Sequence, residues 1–180
     1  MVYYLSLGSN LGDRRGFLNA GMERLGELGI IGPVSPIFRT RPVDMAPDTP
    51  EFLNLALRLD TVIEPRYLLR HIEEIETALG RDKSPGPVRS RPLDIDILLA
   101  GDRIINSPEL TIPHPRMAER AFVLIPLARI APRVKHPLLG LEIEELRRRL
   151  ERSGKSPADA VQPVSDAPGS MDQESSGGSV

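Results

Sequence analysis

Residues 89–102 read RSRPLDIDILLAGD, and the segment Leu93–Ala100 within them decides the fold. Leu93, Ile95, Ile97 and Leu99 take the odd positions, with Asp94 and Asp96 between them, which is the alternation of a strand with one buried face. On such a strand the odd side chains point into a core toward helices, and the two carboxylates project together from the other face. They stand close enough there to reach one cation or a pair of cations, and unpaired they would repel each other. D-x-D alone is short and common, and two solvated acids or acids paired with arginines is its plainer reading. Its neighbours add weight. The upstream stretch GRDKSPGPVRSR places Arg81, Lys83, Arg89 and Arg91 in a Gly/Pro-broken loop that feeds directly into the acidic strand. Cations beside paired acids are what a site for metal-bridged phosphates requires, whereas a solvated basic loop facing the glutamates of the preceding helix is the bland alternative.

Outward from this strand, the hydrophobic period switches between two and 3.6 in an orderly way. Val2–Leu7 reads as a strand, GSNLGD turns it, and a helix begins near Asp13, an N-cap, with Leu18, Met22 and Leu25 on one face. A break is expected at Gly32 and Pro33, then a strand over VSPIFRT with Pro36 marking an edge or bulge. Asn54–Val62 alternates cleanly, with Leu55, Leu57 and Leu59 on one side. Pro65 opens a second helix carrying Leu68, Ile72, Ile75 and Leu79, and Gly80 stops it. After the acidic strand come a hairpin through GDRI and a helical region over Phe122–Ile130. The order β-α-β-β-α-β predicts an α+β fold, an antiparallel sheet with both helices on one face.

The chain of 180 residues suits one domain, 1–152, followed by a Ser/Pro/Gly/Asp-rich segment, 153–180, expected to be a disordered tail because it buries too little apolar surface to offset its ordering entropy. A formal net charge of -2 gives no global pull toward nucleic acid or membrane, so any basic patch must be local. The absence of cysteine excludes disulfides and thiol chemistry and fits a reducing compartment. The opening MVYYLSLGSNLGD is unlike a signal peptide and no apolar run could span a bilayer, so a cytoplasmic protein is expected. Further along, LTIPHPRMAERAF contributes Thr111, His114 and Arg120 near a Pro-rich turn. The irregular stretch RTRPVDMAPDTPEFLN ends in Phe52, a candidate stacking platform for a flat ring, and Asn54, a candidate reader of its polar edge; for each alone ordinary packing is the favoured reading.

Together LGSNLGD, FRTRP with PEFLN, IETALGR, RPLDIDILLAGD and LTIPHPRMAERAFVLIPLARIAP, in this order, resemble the hydroxymethyl-dihydropterin pyrophosphokinase family of folate biosynthesis. The resemblance implies a ferredoxin-like α+β fold and transfer of pyrophosphate from ATP to the hydroxymethyl group of the dihydropterin, releasing AMP. It implies two Mg²⁺ ions on Asp94 and Asp96, with Arg81 and Arg91 joining these acids as catalytic groups. ATP would be lined by Leu69, Glu76, Lys83, Ile97, Thr111, His114 and Arg120, with Leu69 and Ile97 flanking the adenine. The pterin would lie between Phe52 and Phe122, its edge read by Asn54 and by groups around Thr40, Pro42 and Val43. A monomer acting on small molecules, with no nucleic-acid or membrane partner, is the expected state. Two departures from the family pattern bear on ATP: Val88 stands where many relatives carry tryptophan, and Lys83 lacks an arginine's bidentate fork. An RNA-binding sheet of the same topology is the competing class; it would need aromatics and a basic face where Asp94 and Asp96 stand.

Overall fold

The computed structural model describes residues 1–42, 49–82, 90–154 and 161–164. Strand β1 (Val2–Ser9) is the axis of the sheet, antiparallel to β4 (Phe52–Asp60) on one side and to β5 (Asp94–Ala100) on the other. Beyond β4 come β2 (Ile30–Val34) and β3 (Phe38–Thr40), and β8 (Val161–Pro163) closes that edge, so the main path runs β5-β1-β4-β3-β8. Helices α1 (Arg14–Gly26) and α2 (Pro65–Ala78) cover one face. Asp13 caps α1, its Oδ1 accepting the Gly16 N–H at 2.9 Å, a bond of the kind that contributes about 1 kcal/mol. Pro65 opens α2, and Gly80 at φ 93° ends it in a conformation that a side chain would strain.

Leu5, Leu7, Leu55, Leu57, Ile95 and Ile97 from three adjacent strands meet Leu18, Leu25, Leu68 and Ile72 in a core under these helices. Each such side chain, buried from water, stabilises by about 1.5–3 kcal/mol. The expected α+β sheet with two helices on one face is therefore present. The opposite face is covered as well, by α3 (Ala121–Ile130) and α4 (Ile143–Arg152), through a second cluster that includes Phe38, Ala56, Leu99, Leu124, Leu127 and Leu146.

Four expectations differ. Leu99 does not share the face of Ile95 and Ile97: Tyr4 pairs with Leu99 and Leu5 with Ile97, so Leu98 is an extra residue in β5 and the phase inverts after it. The strand near Pro33 runs through the Gly32–Pro33 pair instead of starting after it. Proline is tolerated there because β2 is irregular between Ile31 and Val34, where no ladder N–H is needed. Ser35 then joins the two short strands to β4, its N–H donating to Ala56 O and its Oγ accepting the Ala56 N–H. The hairpin after β5 does not form, since β6 (Ile105–Asn106) pairs with β7 (Thr111–Ile112) instead. Within the segment expected to be tail, Val161–Pro163 is a strand on β3 with Val161 buried against the second core, an apolar anchor short enough to escape a composition argument.

Candidate active site

Beside the part of the sheet that α3 covers, the even-numbered face stays polar. Gly8 of β1 lies between Asn54 of β4 and Asp94 of β5, and Ser6 lies between Ala56 and Asp96. Up to the bulge at Leu98, the odd side chains of all three strands are locked in the core under α1 and α2, and that fixes the aim of the even ones.

Asp94 and Asp96 are partly open, their side chains 26% and 31% exposed. Asp94 Oδ1 is held by Arg91 Nη1 at 2.6 Å and by Arg81 Nη1 at 3.0 Å. Arg81 also pairs with Glu76, a carboxylate of α2 whose Oε1 accepts the Ile95 N–H at 2.8 Å. Burial raises the Glu76 pKa above its ordinary value, while that N–H and the Arg81 charge oppose the rise. Asp96 has looser company, Arg120 Nη1 at 3.8 Å and His114 Nε2 at 3.9 Å. Burial, reinforced by the like charge of Asp94, pushes Asp96 up to about 7. Near neutral pH such a carboxyl is only partly ionised, and a cation placed beside it would favour its charged form.

His114 is placed by β5 itself: its N–H donates to the carbonyl of Leu98, the residue at the bulge, at 3.0 Å. Its Nδ1 accepts the Arg116 N–H at 3.2 Å, which leaves the ring proton on Nε2, the nitrogen toward Asp96. Burial and then Arg120 lower its pKa to about 4, so the ring is neutral at pH 7 and donates without adding charge.

Beside the acids is a shallow slot. A Cβ on Gly8 would stand 2.7 Å from Asn54 Oδ1 and 3.7 Å from Phe52 Cδ1, so glycine opens the floor between an amide and a ring. Asn54, 4% exposed, donates from Nδ2 to Thr40 Oγ1 at 2.6 Å, which orients its amide and keeps Oδ1 toward the slot. Phe122 lies in the first turn of α3, with the Arg120 guanidinium 5.4 Å from its ring centre.

The structure thus gathers Arg81, Arg91, Asp94, Asp96, His114, Arg120 and Glu76 into one charged network, with Thr40, Phe52 and Asn54 around Gly8. Pro42 follows β3 and is partly buried. Leu69 and Ile97 lie on the α1/α2 side of the sheet, Ile97 almost fully buried, so a ring touching both would approach over the edge of β5. Thr111 sits in β7, which packs beside that strand. Val43, Lys83, Val88 and Arg89 lie outside the described residues. Sequence reasoning used LGSNLGD as a turn and as one of the motifs of the resemblance, and assigned no role to Gly8 or Asn10. The available signal was a run of small and polar residues interrupting an apolar strand that pairs with D-x-D.

The residues present fit a divalent cation of the oxygen-seeking kind. Two partly open carboxylates on one face suffice where water and substrate phosphate complete the shell, although no group of three or more acidic, His or Cys side chains gathers among the described residues. Fold and site together define an α+β protein that gathers two carboxylates, three arginines and a histidine on one sheet face beside a glycine-floored surface with an amide and a ring. Comparison with known proteins makes this specific. The family model for 7,8-dihydro-6-hydroxymethylpterin-pyrophosphokinase (HPPK) matches residues 4–132. The 2-amino-4-hydroxy-6-hydroxymethyldihydropteridine pyrophosphokinase of Bacillus subtilis is 38% identical over 80% of this chain and 86% of its own length. The folic acid synthesis protein fol1 of Pneumocystis carinii is 41% identical over 78% of this chain, which spans only 19% of that protein. Among solved structures, wild-type HPPK-DHPS of Plasmodium falciparum with pteroate superposes with a TM-score of 0.68 at 18% identity, over 86% of this chain and 45% of that one, a likeness of fold. The chain belongs to the HPPK family.

Proposed function

We propose that the cleft carries out ATP-dependent transfer of pyrophosphate to the hydroxymethyl group of 6-hydroxymethyl-7,8-dihydropterin, releasing AMP, a step of folate biosynthesis. Membership of the pyrophosphokinase family and 38% identity over most of a stand-alone relative support this. The observation that carries it is the placement of Asp94 and Asp96 on one open sheet face, ringed by Arg81, Arg91, Arg120 and His114 and adjoining the slot over Gly8.

In this reading Asp94 and Asp96 would hold two Mg²⁺ ions, which would supply positive charge against that of the ATP phosphates. Arg81, just past α2, and Arg91, just ahead of β5, keep the Asp94 carboxylate aimed, and with Arg120 they would present guanidinium groups to equatorial phosphoryl oxygens. Neutral His114 donates from Nε2 toward the same oxygens. Glu76 orients Arg81 and fixes the backbone of Ile95 between the two acids. Lys83 and Thr111 belong to the nucleotide side, as do Leu69 and Ile97 at the adenine. Phe52 and Phe122 sandwich the pterin, and Asn54, locked by Thr40, reads its edge with backbone groups near Pro42 and Val43. The hydroxymethyl oxygen then lies in line with the β-phosphorus, and positioning and electrostatics carry most of the acceleration. The protein acts in the cytoplasm as a monomer; the lack of cysteine agrees with a reducing compartment, and no helix among the described residues is long and apolar enough to cross a membrane.

The test is AMP release from ATP and Mg²⁺ in the presence and absence of the pterin, for the wild type and for Asp94→Asn and Asp96→Asn. Pterin-dependent AMP that falls about a thousandfold in each variant is expected. Wild type that binds both substrates and releases no AMP would overturn the assignment in favour of a binding module.

A further inference from the structure

The two halves of the cleft are joined by a side chain that touches neither set of substrate groups. Asn10 follows β1 directly and is 1% exposed. Its Oδ1 accepts the Arg91 N–H at 2.8 Å, and its own N–H donates to Arg91 O at 3.3 Å, so backbone and side chain together grip one residue from both ends. Arg91 is the residue whose guanidinium holds Asp94 at 2.6 Å. The Asn10 amide nitrogen faces elsewhere, donating to Ser90 Oγ at 3.1 Å and to Pro50 O at 3.4 Å. Pro50 lies two residues before Phe52, and the carbonyl of Glu51 between them accepts from Arg14 Nη1 at 2.9 Å. One amide therefore ties the backbone under the Phe52 ring to the backbone under the arginine of the acid site.

We propose that Asn10 is a positioning residue that couples occupancy of the phosphate half of the cleft to occupancy of the ring half. The inference rests on the pyrophosphokinase reading of the cleft. The physical reason is that a buried primary amide with its donors and its acceptor engaged has one satisfied orientation, so a shift of Arg91 must either carry the Pro50 carbonyl with it or leave a buried group unpaired. Ligand on Arg91 and Asp94 then biases the position of Phe52, and by reciprocity a ring on Phe52 biases Arg91. A residue that only supported the fold would alter stability without altering this mutual dependence.

Two variants separate the halves of the clamp. Asn10→Ala removes both. Asn10→Asp keeps the acceptor for the Arg91 N–H and sets a carboxylate oxygen against the Pro50 carbonyl, severing the ring side alone with little change of volume. Calorimetry would give the pterin Kd with and without a non-hydrolysable ATP analogue and Mg²⁺, alongside kcat, KM and melting temperature. The ratio of the two pterin Kd values is expected to fall toward one in both variants. Turnover of folded enzyme should drop about a hundredfold, the effect of a misplacement on the order of 1 Å, with KM for ATP changed far less. An Asn10→Asp protein that melts like wild type and keeps both its Kd ratio and its kcat would overturn the inference, as would an Asn10→Ala protein whose loss of turnover is matched by loss of folded protein at an unchanged ratio. Because the Kd ratio is read without turnover, an inactive wild type would sink the pyrophosphokinase reading and still leave the coupling decided by the binding data.

Discussion

The two faces of this sheet are made by the same strands and obey opposite rules. On the α1/α2 face, Leu5, Leu7, Leu55, Leu57, Ile95 and Ile97 are sealed, and the polar groups that β1 adds there are the hydroxyl of Tyr3, which donates to Ile63 O, and the buried hydroxyl of Ser9. On the other face the partners of those residues are Ser6, Gly8, Asn54, Asp94 and Asp96, and the ring of arginines answers them. The contrast teaches that the apolar face is what gives the polar one its precision. Carboxylates held on a flexible loop would move apart to relieve their repulsion, whereas Asp94 and Asp96 cannot, because Ile95 between them is pinned both by the core and by Glu76.

The strongest way to break this comparison is to damage each face separately. Leu57→Ala is expected to lower stability by about 2–5 kcal/mol in urea unfolding and to leave turnover per folded molecule near wild type. Asp96→Asn should do the reverse, abolishing AMP release while the melting temperature holds. Loss of activity in a folded Leu57→Ala protein would show that the faces are not independent. Next in size is Gly8→Ala. Its new methyl would stand 2.7 Å from Asn54 Oδ1, so pterin affinity should fall about tenfold by calorimetry with ATP affinity unaltered. Equal losses for both ligands would mean that the slot is not a ring site.

A gentler probe uses pH. Asp96 in the metal-free fold titrates near 7, well above the carboxylate value of about 3.9 in an unfolded chain. Between those values the folded state binds more protons than the unfolded one. Metal-free stability should therefore decline as pH rises from about 4 through 7, level off above, and lose this decline in Asp96→Asn. Urea midpoints at pH 5 and pH 8 in chelator would measure it, and a wild type that gains stability relative to the variant over that span would contradict the assigned environment. The smallest effect belongs to the solvent side of α4. Arg148→Ala removes an exposed contact to Glu144 at 2.9 Å and should change stability by less than about 0.5 kcal/mol and activity not at all.

Much of this was legible in the chain itself. Strict alternation over Leu93–Ile97 and over Asn54–Asp60 announces which side chains face the core, and Asp13, Pro65 and Gly80 mark helix ends by local chemistry. Asp94 and Asp96 could be paired from the same alternation. What could not be read depends on partners far apart in sequence. The bulge at Leu98 lies in a run, Ile97–Ala100, whose four apolar residues look alike in either phase. Residues 143–152, which form α4, carry a clear 3.6-residue stripe of Ile143, Leu146 and Leu150, and only the docking of that stripe on α3 gives it meaning. Asn10 is informative only through Pro50, Ser90 and Arg91, none of which its neighbours in sequence suggest.

The extra residue at Leu98 has a consequence for how this strand can vary. In a one-dimensional lattice of period two it acts as a dislocation: upstream of it the phase serves chemistry, downstream it serves packing, and the strain of changing over is confined to one site. Residues on either side can then drift without reference to each other, provided that the slip itself stays put. Deleting Leu98 would heal the lattice with Leu99 and Ala100 still on the faces they occupy now, and the loss would fall on the site: it would withdraw the carbonyl on which His114 hangs.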